Sequence, residues 1–422
     1  MMPRRQFLAA SAGLAATLMG SGLRAESGLR PKIAFLGTSV FRHSHAQHFL
    51  DRLCEGHAWQ GTWHSPRVEV ASVYIDQFPE HTDLGRKRIE RYKLKQFGSV
   101  REALTLGGSK LAVDGVVIIA EHGDYEKNAK GQTLYPRYKW FKEAVQVFEE
   151  SGRAVPIFND KHLSTDWKEC AEMVSDARRL GFPFLAGSSL PVTWRMPDID
   201  MPQGADLRES VCVCYGGVDS YDFHGYETAQ CMSERRSGGE VGISSVLALQ
   251  GDALWAALEA PDRHVTRDLF LTALNRSHSL PVDGGFPTAA VSYEWAKQAM
   301  PKTTGFFVEH RDGFRTTMFL TDIDDFLYAG SIGPNHDTIS CRMFLPLPGR
   351  GATTADFFNP LVRSIETMVL TGQVPYPVER TLLTSGMVIA GVDSLFAGQT
   401  RIETPEMNVA YQVGKESTYW RE

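Results

Sequence analysis

The strongest constraint on the fold is a regular alternation in the first half of the chain. Short apolar runs are each followed by a stretch of helical period. Residues 32–37 (KIAFLG), 68–75, 115–120 (GVVIIA), 154–158 and 182–186 read as strands. Between them, residues 44–54, 86–97, 100–106, 135–150 and 166–180 read as helices. Continuous apolar runs mark strands buried on both faces, and a helix between each pair makes βαβ units; the expected structure is a doubly wound parallel sheet. The basic run at 86–97 carries Arg86, Lys87, Arg88, Arg91, Lys93 and Lys95 with no aromatic interleaving, which suits a solvated helix face rather than a base-stacking platform.

After about residue 197 the pattern changes. Strand-like runs at 210–215, 242–250, 305–310, 314–320 and 338–345 follow one another, with helical patterns around His224 and over 355–395. This predicts an α+β domain on a mainly antiparallel sheet. The expected organisation is therefore a Rossmann-like domain over 30–195 and an α+β substrate or oligomerisation domain over 196–422. Residues 1–25 form a leader: Arg4-Arg5, a short Ala/Gly-rich stretch and Ala25 have the layout of a twin-arginine export signal, which implies a periplasmic or otherwise exported protein. The 422 residues carry 44 Lys+Arg against 50 Asp+Glu, a net charge of −6 that argues against a nucleic-acid partner held by phosphate contacts. No apolar run reaches the roughly 18 residues of a membrane span. Six cysteines without a CxxC pair read as buried free thiols, with Cys212 and Cys214 on one strand face.

Three ordered segments resemble the Gfo/Idh/MocA oxidoreductases. The first is residues 33–39 with Asp76 after the second strand. The second is Val155-Pro-Ile-Phe-Asn-Asp160-Lys161-His162, its following helix, and the strand ending at Gly187. The third is Asp219-Ser-Tyr-Asp222-Phe-His224-Gly-Tyr-Glu227. The resemblance implies NAD or NADP at the strand edges and hydride transfer from a sugar, polyol or related hydroxy compound. It makes His224 the general acid/base, Lys161 the residue that orients hydroxyl and cofactor, and Glu227 the counterpart of the family's aspartate one turn later. It also implies dimers or tetramers built through the C-terminal sheet. The cofactor-binding set on this reading is Gly37, Thr38, Ser39, Arg42, Asp76, Glu121 and Lys161. The glycine-rich turn departs from the family: it reads Gly37-Thr-Ser-Val-Phe-Arg42, with only its first glycine. Burial of Lys161 at a strand end is expected to lower its pKa.

Metal-capable groups exceed what the resemblance requires. Glu121-His122-Gly-Asp124, Asp160 and His162, and His43, His45 and His48 all follow apolar strands, so three loops would deliver them to one edge of the sheet. His122, Asp160 and His162 are the candidate ligands for a divalent cation, and His122 is a further catalytic candidate. Tyr138, Trp194 and Arg195 are candidate walls of a pocket for a carbohydrate-like substrate. Two other functions use the same residues: a non-redox lyase or hydrolase that enolises a keto-sugar with Lys161 and His224, and a non-catalytic periplasmic ligand-binding protein.

Overall fold

In the computed structural model, residues 30–280, 291–346 and 354–419 are described, and the twin-arginine stretch lies outside them. The chain opens with β1 (Lys32–Ser39), α1 (His45–Glu55), the hairpin strands β2 (His57–Trp59) and β3 (Thr62–His64), and β4 (Glu69–Gln77). There follow α2 (Gly85–Tyr92), α3 (Val100–Thr105), β5 (Gly115–Ile119), α4 (Arg137–Ser151), β6 (Ile157–Asp160), α5 (Trp167–Leu180) and β7 (Phe184–Gly187). The five longer strands form one sheet in the order β4-β1-β5-β6-β7, every pair parallel. Helices cover both faces, so β1, β5, β6 and β7 are buried almost throughout. Local signals fix the helices. Ser44 caps α1 by accepting from the Gln47 N–H, Asp166 caps α5 by accepting from Lys168 and Glu169, and left-handed Gly152 and Gly181 stop α4 and α5.

The helix expected over 86–97 ends at Tyr92. Lys93 turns left-handed (φ 53°), and residues 95–97 run beside β4, with the Val73 N–H donating to Lys95 O and the Phe97 N–H to Val73 O. Sheet pairing there satisfies backbone groups that helix would otherwise have used.

From Gly187 the chain passes to a second sheet through β8 (Arg195–Met196), β9 (Leu207–Tyr215), α6 (Asp222–Ser233), β10 (Ile243–Gln250), α7 (Asp252–Leu258), α8 (His264–Leu274) and α9 (Tyr293–Ala299). It continues with β11 (Thr304–His310), β12 (Arg315–Thr321), β13 (Phe326–Ile332), β14 (Asp337–Met343), α10 (Asn359–Thr371), α11 (Val378–Phe396) and β15 (Ile402–Glu403). This sheet has the order β15-β10-β11-β12-β9-β13-β14-β8 and is antiparallel except at β9–β12. Strand alternation splits it into two buried faces. Cys212 and Cys214 point into the core shared with Phe223 and Tyr226 of α6, while Val211 and Val213 point into a separate core with Leu254, Trp255, Leu269 and Phe270 of α7 and α8. All six cysteines are free thiols.

Helix α6 is buried on every side, its twelve residues lying between the sheet and α11. A helix buried all round has no polar face, so each polar group on it needs a partner inside the protein. His224 and Glu227, three residues apart, share one side of it. Among the described residues, no helix is long and apolar enough to cross a membrane.

Candidate active site

The carboxyl ends of β1, β5 and β6 lie side by side, and the segments leaving them meet α6 across a cleft of about 190 Å³. His45 is the first residue of α1, Glu121 and His122 follow β5, Asp160 ends β6 and Lys161 follows it. His45, Glu121, His122 and Lys161 line the cleft together with Tyr221, His224 and Phe358. Three cleft residues other than glycine hold left-handed backbone: His43 (φ 69°), His122 (φ 70°) and Lys161 (φ 62°). Such conformations persist where the surroundings impose them, and they concentrate at functional sites.

Lys161 donates to Glu121 Oε1. His45 Nδ1 donates to Asp160 Oδ2 at 2.8 Å and stands 3.5 Å from Glu121 Oε2. Burial by itself would raise the Glu121 pKa, but the charges of Lys161, His45 and His122 outweigh it and hold the carboxylate well below its ordinary range. The expectation for Lys161 is reversed by the same contact: burial pulls its pKa down, yet Glu121 and Asp160 more than restore it, and the ammonium persists above its ordinary value. His224 moves the other way. Burial, followed by the charges of Lys161 and His45, keeps the imidazole neutral far below its usual range.

A buried relay orients His224. Its Nδ1 is 3.0 Å from Ser188 Oγ, and Ser188 donates through both its hydroxyl and its backbone N–H to Glu227. Glu227 fits there because position 187 is glycine: a Cβ on Gly187 (φ 126°) would come within 2.4 Å of Glu227 Oε1. Ser188 had no distinguishing signal beyond its place in a polar stretch after the last strand of the first sheet.

Glu227 has its pKa raised by burial from 4.5 to about 7, so the folded state takes up its proton at a higher pH than the unfolded chain does. The resulting stability is fully present below about pH 4.5 and is lost as pH climbs through about 7. Glu227→Gln keeps the shape and removes the titration. Between pH 4.5 and pH 8 the wild type should lose on the order of 3 kcal/mol that the variant keeps. Urea unfolding of both proteins at the two pH values checks this. Asp222, raised to about 7 by burial, and His48, lowered to about 3 by burial, contribute to both proteins and drop out of the difference.

Other expected site residues lie elsewhere. His162 turns away from the cleft, with Nε2 2.9 Å from Arg137 Nη1. Tyr138 donates to Glu172 on the outside of the first sheet. Trp194 packs on Phe344, and Arg195 is buried between Asp200, Cys231 and Tyr419. Tyr138, Trp194 and Arg195 thus make a hydrogen bond, a ring contact and an ion pair at those places.

The expected dinucleotide residues surround the edge of β1, and the residues present there do not fit a dinucleotide laid along it. Gly37 sits inside β1, where a Cβ would meet the Phe35 ring at 3.1 Å, so its role there is packing. Thr38 and Ser39 are buried, with the Thr38 hydroxyl donating to Glu121 O, and Arg42 is exposed with Nε against His43. The backbone amides that would meet a pyrophosphate already have acceptors: Phe41 and Gln47 donate to Ser44 Oγ, and His43 donates to Gln47 Oε1. Asp76 accepts from the hydroxyls of Tyr74 and Tyr125. The Gln77 side chain pairs with both the N–H and C=O of Asp124. Since β1 lies between β4 and β5, the Tyr125–Asp76 and Gln77–Asp124 contacts pass over its carboxyl end. The Phe41 and His122 rings, 5.0 Å apart, close the remaining side.

No protein-family model matches the sequence, and no curated protein matches it. Solved structures do match in three dimensions. GenD2 from gentamicin A biosynthesis, in complex with NAD, superposes with a TM-score of 0.55 at 11% identity over 89% of this chain and 97% of its own. The myo-inositol dehydrogenase of Lactobacillus casei, in complex with NAD(H) and myo-inositol, gives 0.52 at 10% identity over 92% and 99%. A probable dehydrogenase from Thermotoga maritima gives 0.52 at 10% identity over 89% and 99%. The chain shares the fold of these three structures. At these identities the likeness fixes the architecture, a parallel α/β sheet joined to a mainly antiparallel one, and the chemistry rests on the cleft itself.

Proposed function

We propose that the cleft is the active site of an enzyme that moves a proton on a small polyhydroxylated carbonyl compound, with His224 as the base and Lys161 as the cation that receives the developing oxyanion. The observation that carries this is the convergence of a neutral buried imidazole and a buried ammonium on one cleft. Ser188 holds Nδ1 of His224, which leaves Nε2 for the substrate. Removal of the proton beside a carbonyl places negative charge on oxygen, where a fixed ammonium stabilises it in a water-poor site. The enediolate can then expel a group from the next carbon, the chemistry of a keto-sugar lyase or of a hydrolase that works through elimination.

The fold favours a second reading, oxidoreduction of a sugar or polyol with NAD or NADP, because GenD2 and the L. casei enzyme are NAD complexes of this architecture. It requires the Gln77–Asp124 and Tyr125–Asp76 contacts to part. Incubation with a panel of keto-sugars and polyols in deuterated buffer, read by NMR, separates the two when paired with equilibrium dialysis against NAD(H) and NADP(H). Deuterium beside the carbonyl without added nucleotide is the expected result. Stoichiometric nucleotide binding with polyol oxidation would replace it by the dehydrogenase reading. Sugar binding with no turnover, unchanged in Lys161→Ala and His224→Ala, would make the protein a ligand-binding module.

A further inference from the structure

We propose that His45, Glu121 and Asp160 bind one divalent first-row transition cation at the edge of the parallel sheet. The inference does not depend on the reaction proposed above. The three side chains leave neighbouring places in the strand order: the helix after β1, the end of β5 and the end of β6. Their donor atoms all lie within 4.8 Å of one another, with His45 Nδ1 2.8 Å from Asp160 Oδ2 and 3.5 Å from Glu121 Oε2. A cation bonded to nitrogen and oxygen at about 2.0–2.2 Å spaces its ligands about 3.0–3.5 Å apart, so these three could close on one ion with small movements.

A second observation points the same way. Asp160 is only 1% exposed, and its Oδ1 has no hydrogen-bond partner among the described residues; Glu121 Oε2 has none either. Buried carboxylate oxygens are costly to leave unmatched, and a cation between them would match both. One imidazole with two carboxylates suits Zn²⁺ or Mn²⁺. Lys161, on the other oxygen of Glu121, opposes the added charge, which makes His45 and Asp160 the principal ligands. The hydrogen that His45 now donates to Asp160 would move to Nε2 as Nδ1 turns to the ion. The remaining coordination positions would be available to water or a substrate oxygen, since His45 and Glu121 both line the cleft.

Tag-free protein, stripped with chelator and titrated with Zn²⁺ or Mn²⁺ alone in a calorimeter, tests the site. One equivalent should bind. His45→Ala and Asp160→Asn should each weaken binding at least about 10-fold, whereas His264→Ala, an exposed histidine on α8, should leave it unchanged. The thermal midpoint of the wild type should rise on adding metal, a readout that needs no variant. Absence of saturable binding and of a thermal shift would overturn the proposal. So would equal affinity in the wild type and the two ligand variants.

Discussion

Lys161→Met in metal-free protein should abolish turnover and destabilise the fold by about 3–5 kcal/mol, because the substitution leaves Glu121 as a buried carboxylate without its cation. The side chains of both partners are largely buried, at 8% and 12% exposure, so solvent screens little of the interaction. Two effects are combined in that single change, and a second variant separates them. Lys161→Met with Glu121→Gln removes both charges while keeping the volume, so most of the stability should return while activity stays lost. Denaturant unfolding and the keto-sugar exchange assay, run on the two proteins together, give the comparison. Full stability in the single variant would mean that Glu121 finds another partner, and retained turnover would remove Lys161 from the mechanism.

His224→Gln is expected to lower turnover by about 10²–10⁴-fold, the usual contribution of a positioned general base, with much less change in substrate affinity. Glutamine can still hydrogen-bond Ser188 but cannot accept a proton at neutral pH. Circular dichroism and unfolding midpoints should stay near the wild type, since α6 keeps its packing. A loss confined to KM would assign His224 to binding rather than proton transfer.

Much of the architecture can be read from the residues, and the reasons differ by region. The parallel sheet announces itself because strands buried on both faces are continuous apolar runs bounded by capped helices, as at residues 115–120 and 166–180. Strand β13 does not, although it lies between β9 and β14 in the larger sheet. Its sequence, FLYAGSI, carries a glycine that a Cβ would drive into Tyr328, Leu207 and Met201, so packing from distant segments makes it a strand. The short hairpin β2–β3 and helices α7–α9 likewise depend on what they pack against.

The candidate site shows the same division. Glu121 and His122 stand out by residue type and by position after an apolar run, whereas Lys161, His224 and Glu227 are singled out by the family resemblance. The partnership of His45 with Asp160 joins residues 115 positions apart and follows from β1 and β6 flanking β5, an order that spacing along the chain does not encode. The sign of the Lys161 shift depends on the same kind of information. Burial was legible, but the carboxylate brought against it from another strand was not.

Both surfaces of the eight-stranded sheet are occupied within a single chain, by α6 and α11 on one side and by α7, α8 and α9 on the other. Among the described residues, the sheet therefore keeps no broad apolar face open. What the described residues leave open around that sheet are helix surfaces, loops and strand edges. The helices that close the sheet thus bury its apolar residues without help from a second molecule.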